Sequence, residues 1–111
     1  MDCVFCSIIA GEIPSKKAYE DEQVLAFYDI EPKAPVHVLV IPKTHIPGAG
    51  AVTRENSALV AHIFEVLPRI ARELGLESFR VVTNNGADAG QTVPHLHFHL
   101  LGGQKFAEKL V

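Results

Sequence analysis

The stretch Val93-Pro94-His95-Leu96-His97-Phe98-His99-Leu100-Leu101-Gly102-Gly103 alternates imidazole and apolar side chains. A period of two is that of a β-strand, whose successive side chains point to opposite faces of the sheet. The stretch therefore predicts a strand with His95, His97 and His99 on one face and apolar residues on the other. Each imidazole needs a polar partner when it is buried and titrates near neutral pH. Three of them in a row indicate that this face has a chemical role.

Length and composition limit the class of protein. The chain has 111 residues and is 48% apolar, so we assign residues 1–111 to a single domain. Thirteen acidic against ten basic side chains give a net charge of −3, which argues against nucleic acid or an anionic membrane as a partner. The sequence has neither a signal-peptide pattern nor an apolar run long enough to span a bilayer. We therefore expect a cytoplasmic protein that binds any anionic ligand locally.

Working outward from the His stretch, hydrophobic periodicity predicts the order helix, three strands, long helix, two strands. The ranges are a short helix over 4–10, strands over 18–20, 23–28 and 36–41, a long helix over 54–74, and strands over 79–83 and the His stretch. Pro68 lies inside the long helix and should kink or break it. Strands that cluster rather than alternate with helices predict an α+β fold with a mainly antiparallel sheet.

The His stretch has the residue types needed for nucleophilic transfer. A neutral imidazole becomes a nucleophile when one ring nitrogen donates its proton to a fixed acceptor, such as a backbone carbonyl. His97, in the middle, is the natural nucleophile, and the flanking imidazoles offer donors for phosphoryl oxygens or a proton for the leaving group. Directly upstream, Gly90, Gln91 and Thr92 offer hydrogen-bond donors to an oxyanion. The residues therefore predict phosphoryl or acyl transfer centred on His97.

Metal catalysis is the alternative, because His-x-His on a strand is also a ligand pair for zinc or iron. His37, His45 and Asp29 are available as further ligands, and spacing alone leaves this choice open. Cys3 and Cys6 form a C-x-x-C pair. In a reducing compartment such a pair indicates metal or redox chemistry rather than a structural disulfide.

The segment His95–Leu101 resembles the signature of the histidine triad (HIT) family. The similarity extends over nearly the whole sequence, and there it resembles the histidine triad nucleotide-binding (Hint) branch. It covers Phe5 and residues 8–9, 12–14, 25–30, 35–43 and 84–103. The resemblance implies a HIT-like fold, with a five-stranded antiparallel sheet, one short N-terminal helix and one long central helix. It also implies a homodimer in which the two sheets are continuous.

The resemblance further implies a nucleotide hydrolase, a phosphoramidase that cleaves purine nucleoside 5′-phosphoramidates or acyl-adenylates. His97 would attack the α-phosphorus and form a covalent nucleotidyl-histidine, which water then hydrolyses. His99 would contact the phosphoryl oxygens, and His95 and His37 would orient groups or shuttle protons. The alternative is a zinc-stabilised nucleotide-binding regulatory protein with little catalytic turnover.

The substrate-binding residues are also implied by the resemblance. Asp29 would accept hydrogen bonds from both ribose hydroxyls, a role that suits a carboxylate. The other positions form a base pocket and a group that faces the phosphate and leaving group: Phe5, Ile8, Phe27, Ile30 and Leu39 in the first, Asn84, Gln91 and Thr92 in the second. Spacing alone favours the hydrophobic core for all five base-pocket residues.

In some members of this branch, residues at the positions of Cys3, Cys6, His45 and His95 form a closed Cys₂His₂ site. The resemblance thus implies a structural zinc and no cofactor for catalysis. If His95 binds the metal, catalysis is left to the other imidazoles.

Two further features of the sequence lie outside these motifs: the absence of Trp and the presence of His62. The chain has no Trp, whereas many members have a Trp-containing tail that touches the leaving group, so the leaving-group preference stays open. His62, on the long helix, belongs to no motif and is predicted to be a surface or interface residue.

Overall fold

The computed structural model describes residues 3–110, so residues 1, 2 and 111 of the assigned domain lie outside the described range. The strands form one antiparallel sheet in the order β1-β2-β3-β5-β4. The elements in chain order are α1 (Val4–Ile9), β1 (Lys17–Glu20), β2 (Val24–Tyr28), β3 (Val36–Pro42), α2 (Ser57–Glu73), β4 (Phe79–Val82) and β5 (Phe98–Gly102). The predicted α+β fold, with its element order and its five-stranded antiparallel sheet, is confirmed.

The central strand β3 is covered on both faces, as its nearly continuous apolar sequence requires. Val38 and Val40 belong to the core that α2 covers, whereas Leu39 and Ile41 belong to a second core with Phe5 of α1. The two cores follow the period of two along the strand. Residues on the α1 side of the sheet therefore lie beside the short N-terminal helix, and this is the side on which the site forms.

Helix α2 continues from Ser57 to Glu73 with Pro68 inside it, so the predicted break is wrong. Pro68 lies on the exposed face, where water can satisfy the carbonyl that a proline ring leaves without a partner. On the opposite face, Val66, Leu67 and Ile70 are buried in the core and hold the turns on both sides of the proline. Within residues 3–110, neither helix has the length and apolarity needed to cross a membrane.

Only part of the His stretch is a strand, which corrects the expectation of a strand from its beginning. Strand β5 begins at Phe98, and residues 93–97 form an irregular approach to it. Pro94 has no backbone N–H for a sheet ladder, the His95 N–H bonds back to the Val93 carbonyl at 2.8 Å, and the Leu96 N–H bonds to the Ile46 carbonyl at 2.6 Å. Hydrogen bonds to a turn and a loop replace the predicted ladder, but apolar and imidazole side chains still alternate between the two sides.

Candidate active site

A cavity of about 1020 Å³ lies on the α1 side of the sheet. The apolar part of its lining comes from α1, β2, β3 and the loop after β2: Phe5, Ile8, Phe27, Ile30 and Leu39. Phe5, Phe27 and Leu39 belong to the hydrophobic core and also line the cavity. Ile30 is 94% exposed, so the core interpretation based on spacing is wrong there. The residue follows the end of β2 in a loop at the cavity mouth.

The cavity lining also carries polar groups. Six sequence-predicted residues contribute to it: Asp29, His37, Asn84, Thr92, His97 and His99. They come from the end of β2, from β3, from the loop after β4 and from the segment leading into β5. Residues distant in sequence thus converge because β3 and β5 are paired neighbours, with Leu39 opposite His99 and His37 opposite Leu101.

His97 is held in one orientation by a backbone carbonyl. Its Nδ1 lies 2.7 Å from the His95 carbonyl oxygen, which can only accept, so Nδ1 carries the proton. The ring of Phe5 meets it edge-on with centroids 5.1 Å apart. Within residues 3–110, Nε2 of His97 has no hydrogen-bond partner. Because no fully buried side-chain nitrogen or oxygen in this range lacks a partner, Nε2 is accessible. In the neutral ring the lone pair is therefore on Nε2, on the side chain that lines the cavity.

A chain of hydrogen bonds assigns the protons on the other two imidazoles. The Lys33 backbone N–H donates to His37 Nδ1 at 3.0 Å, so the proton of the neutral His37 ring lies on Nε2. His37 Nε2 is 2.9 Å from His99 Nδ1 and donates to it. The neutral ring of His99 consequently carries its proton on Nε2. Burial lowers the pKa of His99 to about 4, with further lowering by His97 and His37, and burial likewise lowers the pKa of His37.

Asp29, His37 and His99 have atoms close enough to ligate a metal, all within 4.8 Å of one another. The proton positions argue against it, because the Lys33 N–H occupies the Nδ1 lone pair of His37 and keeps Nε2 protonated. A protonated nitrogen has no lone pair for a metal. These three residues therefore fit the chain of hydrogen bonds from Lys33 through His37 to His99, here called the proton chain, better than the ligand set of a catalytic metal.

Asp29 is held in place beside this chain of hydrogen bonds. Its Oδ1 accepts the Glu31 backbone N–H at 2.8 Å, and its Oδ2 lies 3.5 Å from His37 Nε2. The side chain is only 19% exposed. A carboxylate has about four lone-pair positions, so Asp29 retains acceptor capacity toward the cavity.

A second cluster, formed by Cys3, Cys6, His45 and His95, lies behind the cavity wall, with its four ligand atoms within 4.8 Å of one another. His95 Nε2 donates to the Pro42 carbonyl at 2.9 Å, which leaves the Nδ1 lone pair to face the cluster. From this Nδ1 the distances are 3.3 Å to Cys3 Sγ, 3.6 Å to Cys6 Sγ and 3.1 Å to His45 Nδ1. Tetrahedral zinc with two nitrogen and two sulfur ligands has edges of about 3.4 to 3.8 Å. The arrangement fits a metal held by these four residues.

The cluster and the cavity share helix α1. Cys3 is the N-cap of this helix, and its Sγ accepts the Cys6 N–H at 3.3 Å. Phe5, between the two cysteines, contacts His97 as described and also meets the His95 ring edge-on at 5.8 Å. Burial, together with the neighbouring Cys3, raises the pKa of the Cys6 thiol to about 11, an effect that a bound cation would reverse.

Gln91 lies outside the cavity lining. Its side-chain amide bonds the backbone of two loops, donating to the Pro47 and Val93 carbonyls and accepting from Gly86 N–H. Asn84 and Thr92, predicted with it, do line the cavity.

The sequence did not predict two contacts that support the site. The Lys33 N–H that fixes His37 is a backbone group, for which a sequence carries no signal. The Thr83 hydroxyl donates to the His97 carbonyl at 2.8 Å. Val82 pairs with His99, so extending the β4–β5 register by one or two residues would have brought Thr83 beside the approach to β5.

The HIT domain family model matches residues 10–106. The chain belongs to the HIT family. A HIT-like protein of Synechocystis, itself described as uncharacterised, is 50% identical over 107 residues, which cover 96% of this chain and 94% of that protein. A HIT family hydrolase from Clostridium thermocellum is 46% identical, with a TM-score of 0.96 over 99% of this chain and 97% of that one. A histidine triad protein from Clostridium difficile is 47% identical with a TM-score of 0.94 over the same shares.

Proposed function

We propose that this HIT protein is a nucleotide hydrolase that cleaves purine nucleoside 5′-phosphoramidates or acyl-adenylates through a nucleotidyl group on His97. The observation that carries the proposal is the 2.7 Å contact of His97 Nδ1 with the His95 carbonyl, which leaves Nε2 unprotonated toward the cavity. A neutral imidazole oriented in this way has the lone pair that attack on phosphorus needs. Similarity to a HIT family hydrolase supports the same reaction class.

The proposed reaction has two steps. His97 Nε2 attacks the α-phosphorus, a phosphorus–nitrogen bond to the ring forms, and the bond from phosphorus to the amine or acyl oxygen breaks. The leaving amine takes up a proton, whereas an acyl carboxylate leaves as the anion. Water then attacks phosphorus, the bond to His97 breaks, and a nucleoside monophosphate is released. The Nε2–H of His99 lies at the end of the proton chain from Lys33, where it can donate to a phosphoryl oxygen.

The cavity lining suits the two parts of a nucleotide. Phe5, Phe27 and Leu39 give apolar walls for a base, and Asp29 offers acceptors for ribose hydroxyls. Asn84 and Thr92 add polar side chains to the lining, and we propose that they face the phosphate and leaving group. A volume of about 1020 Å³ leaves space for a leaving group beside a mononucleotide.

The cluster of Cys3, Cys6, His45 and His95 is proposed to hold a structural zinc, with no cofactor taking part in catalysis. Two thiolates and two imidazoles are a donor set that zinc prefers, and four protein ligands leave no open coordination position. A bound zinc would tie α1 to the loop after β3 and to the segment before β5.

The proposal includes a cytoplasmic homodimer. Both cysteines are free thiols, which supports a reducing compartment. Phe64 on α2 and Phe79 on β4 are 52% and 39% exposed, and β4 is at the edge of the sheet, so apolar surface and unpaired strand edge are available to a second copy.

The test compares the wild type with His97→Asn, using adenosine 5′-phosphoramidate and measuring amine release. Asn retains an N–H near the Nδ1 position for the His95 carbonyl but has no atom at Nε2, so we expect kcat to fall by at least about 10³-fold with the fold retained. His62→Ala removes an imidazole outside the cavity and is the matched control. Tight nucleotide binding by the wild type without turnover would instead favour the regulatory binding protein. Rapid loss of turnover on chelation, without unfolding, would favour a metal-dependent hydrolase.

A further inference from the structure

Two loops meet beside the cavity, next to its lining residues Asn84 and Thr92. We call residues 46–52, after β3, the bridge loop, and residues 83–93, after β4, the approach loop. We propose that Asn85 and Gln91 are positioning residues that clamp the approach loop to the bridge loop and so hold Asn84 and Thr92 in place at the cavity. The inference deepens the proposed function and rests on it for its kinetic consequence.

Gln91 uses every donor of its carboxamide within the two loops. Its Oε1 accepts the Gly86 N–H at 2.8 Å, and its Nε2 donates to the carbonyls of Pro47 at 2.7 Å and Val93 at 3.1 Å. Gly86 and Val93 belong to the approach loop, and Pro47 belongs to the bridge loop. Within the approach loop the side-chain amide reinforces the backbone bond from the Gln91 N–H to the Gly86 carbonyl at 3.1 Å. The same amide attaches the approach loop to the bridge loop, with no side-chain N–H left to donate to a ligand.

Asn85 adds the second connection, because its Oδ1 accepts the Gly50 N–H at 2.8 Å. The amides approach the bridge loop closely at two glycines, and at Gly48 a Cβ would force the Asn85 side chain to move. A Cβ on Gly48 would lie 2.6 Å from Asn85 Oδ1 and 3.3 Å from Gln91 Oε1, and one on Gly50 would lie 3.2 Å from Asn85 Oδ1. Gly48 has an extended backbone with φ of 177°, so close approach, rather than an unusual φ, requires the glycine.

Each clamp residue is adjacent to a residue that lines the cavity. Asn84 and Thr92 line it, whereas Asn85 and Gln91 contact the bridge loop instead. The bridge loop also accepts the Leu96 N–H at the Ile46 carbonyl, one residue before His97. The clamp thus fixes Asn84 and Thr92 relative to the nucleophile. A misplacement of about 1 Å in such groups can reduce turnover by about 100-fold.

The test measures kcat, KM and the affinity for adenosine monophosphate in Gln91→Ala, Asn85→Leu and Gly48→Ala. We expect kcat to fall about 10- to 100-fold, while affinity for the monophosphate stays within about threefold, because α1, β2 and β3 provide the base and ribose walls. Asn85→Asp retains the acceptor for Gly50 N–H and should restore kcat to within about threefold of the wild type. Gln23→Ala removes an exposed amide that belongs to neither loop and does not line the cavity, and it is the control.

Unchanged kcat in Gln91→Ala and Asn85→Leu would overturn the inference. So would an Asn85→Asp variant as defective as Asn85→Leu, or a loss of monophosphate affinity in proportion to kcat, which would indicate direct substrate contact.

Hydrogen exchange separates this inference from the proposed function. The Gly50 amide is bonded to Asn85 and not to Gln91. If the two side chains act as one clamp, its exchange should accelerate in Gln91→Ala but not in Gln23→Ala. A wild type without hydrolytic activity would refute the proposed function alone, and unchanged Gly50 exchange would refute the clamp alone.

Discussion

His95 and His97 lie two residues apart, and each donates one ring N–H to a backbone carbonyl, yet their remaining nitrogens face opposite chemistries. His95 donates through Nε2 to Pro42, and its Nδ1 faces two thiols and a third imidazole. His97 donates through Nδ1 to His95, and its Nε2 faces the cavity. The position of the accepting carbonyl selects which ring nitrogen donates, and it thereby directs the other nitrogen of His95 to the Cys/His cluster and that of His97 to the cavity.

The two surroundings differ in access as well as in ligands. His95 has no exposed surface and is enclosed by the Cys/His cluster, whereas His97, although only 5% exposed, borders a cavity with space for a nucleotide. A metal in the first place would stabilise the fold, and a lone pair in the second would react. The predictions below test this division of roles.

The largest expected effect on stability concerns the His95 side of the comparison. Cys3→Ser keeps an oxygen that caps α1, so it removes the metal ligand without removing the helix cap. At free zinc about 100-fold above Kd, zinc binding stabilises the wild type by roughly 3 kcal/mol, and the variant should lose this gain. Thermal unfolding with and without zinc measures it. Equal zinc-dependent shifts in melting temperature for wild type and variant would contradict the structural site.

The next effect concerns the His97 side. In His37→Asn the amide is too short to reach His99 Nδ1, whereas in His37→Gln the amide nitrogen lies near the position of Nε2 and can still donate. Loss of this hydrogen bond should lower kcat about 30-fold, equivalent to about 2 kcal/mol. We expect His37→Gln to retain most of the activity. If both variants lose the same activity in steady-state assays, the proton chain has no role.

The smallest expected effect concerns a third imidazole, that of His62, whose partner is a carboxylate. His62 Nε2 lies 2.7 Å from Asp21 Oδ2, which also accepts the Tyr19 hydroxyl, and His62 Nδ1 lies 3.6 Å from Glu65. The hydrogen bond to Asp21 raises the pKa of His62. Burial alone would raise the pKa of Asp21, but hydrogen bonds from His62 and from backbone N–H groups outweigh it and hold that pKa well below its usual range.

These shifts define a pH window for stability. The raised His62 pKa gives a contribution that is full below about pH 6.5 and is lost as the pH rises through the raised value. The lowered Asp21 pKa gives one that is present above about pH 3.9 and is lost as the pH falls. We expect His62→Ala to cost about 1 kcal/mol between about pH 4 and 6.5 and less at higher pH. Denaturant unfolding at several pH values measures this, and a cost independent of pH would contradict the charged pair.

The fold was predictable because its elements follow simple periodicities. The alternation in the His stretch and the helical spacing in α2 reflect one buried face each, and burial is a property that a sequence carries directly. The break at Pro68 was predicted from the proline alone, whereas the buried residues on the opposite face, Leu67 and Ile70, hold the helix together across it. The start of β5 was misplaced because Leu96 N–H finds its partner in Ile46, a loop residue fifty positions away.

The site was predictable in its residue types and less so in its assignments. His97, His99 and Asp29 were found through the motif and its resemblance, and they do line one cavity. Gln91 was expected to face the phosphate, but its amide is engaged by the backbone of Gly86, Pro47 and Val93. Such contacts depend on how two loops approach each other, which no local pattern in the sequence encodes.

The most direct test of the account is to quench a single turnover of adenosine 5′-phosphoramidate and map the nucleotidyl group by peptide mass spectrometry. We predict an adenylyl group on His97 of the wild type, with the same yield after chelation as long as the protein stays folded. An adduct on another residue, or an adduct that disappears from folded protein when metal is removed, would contradict it.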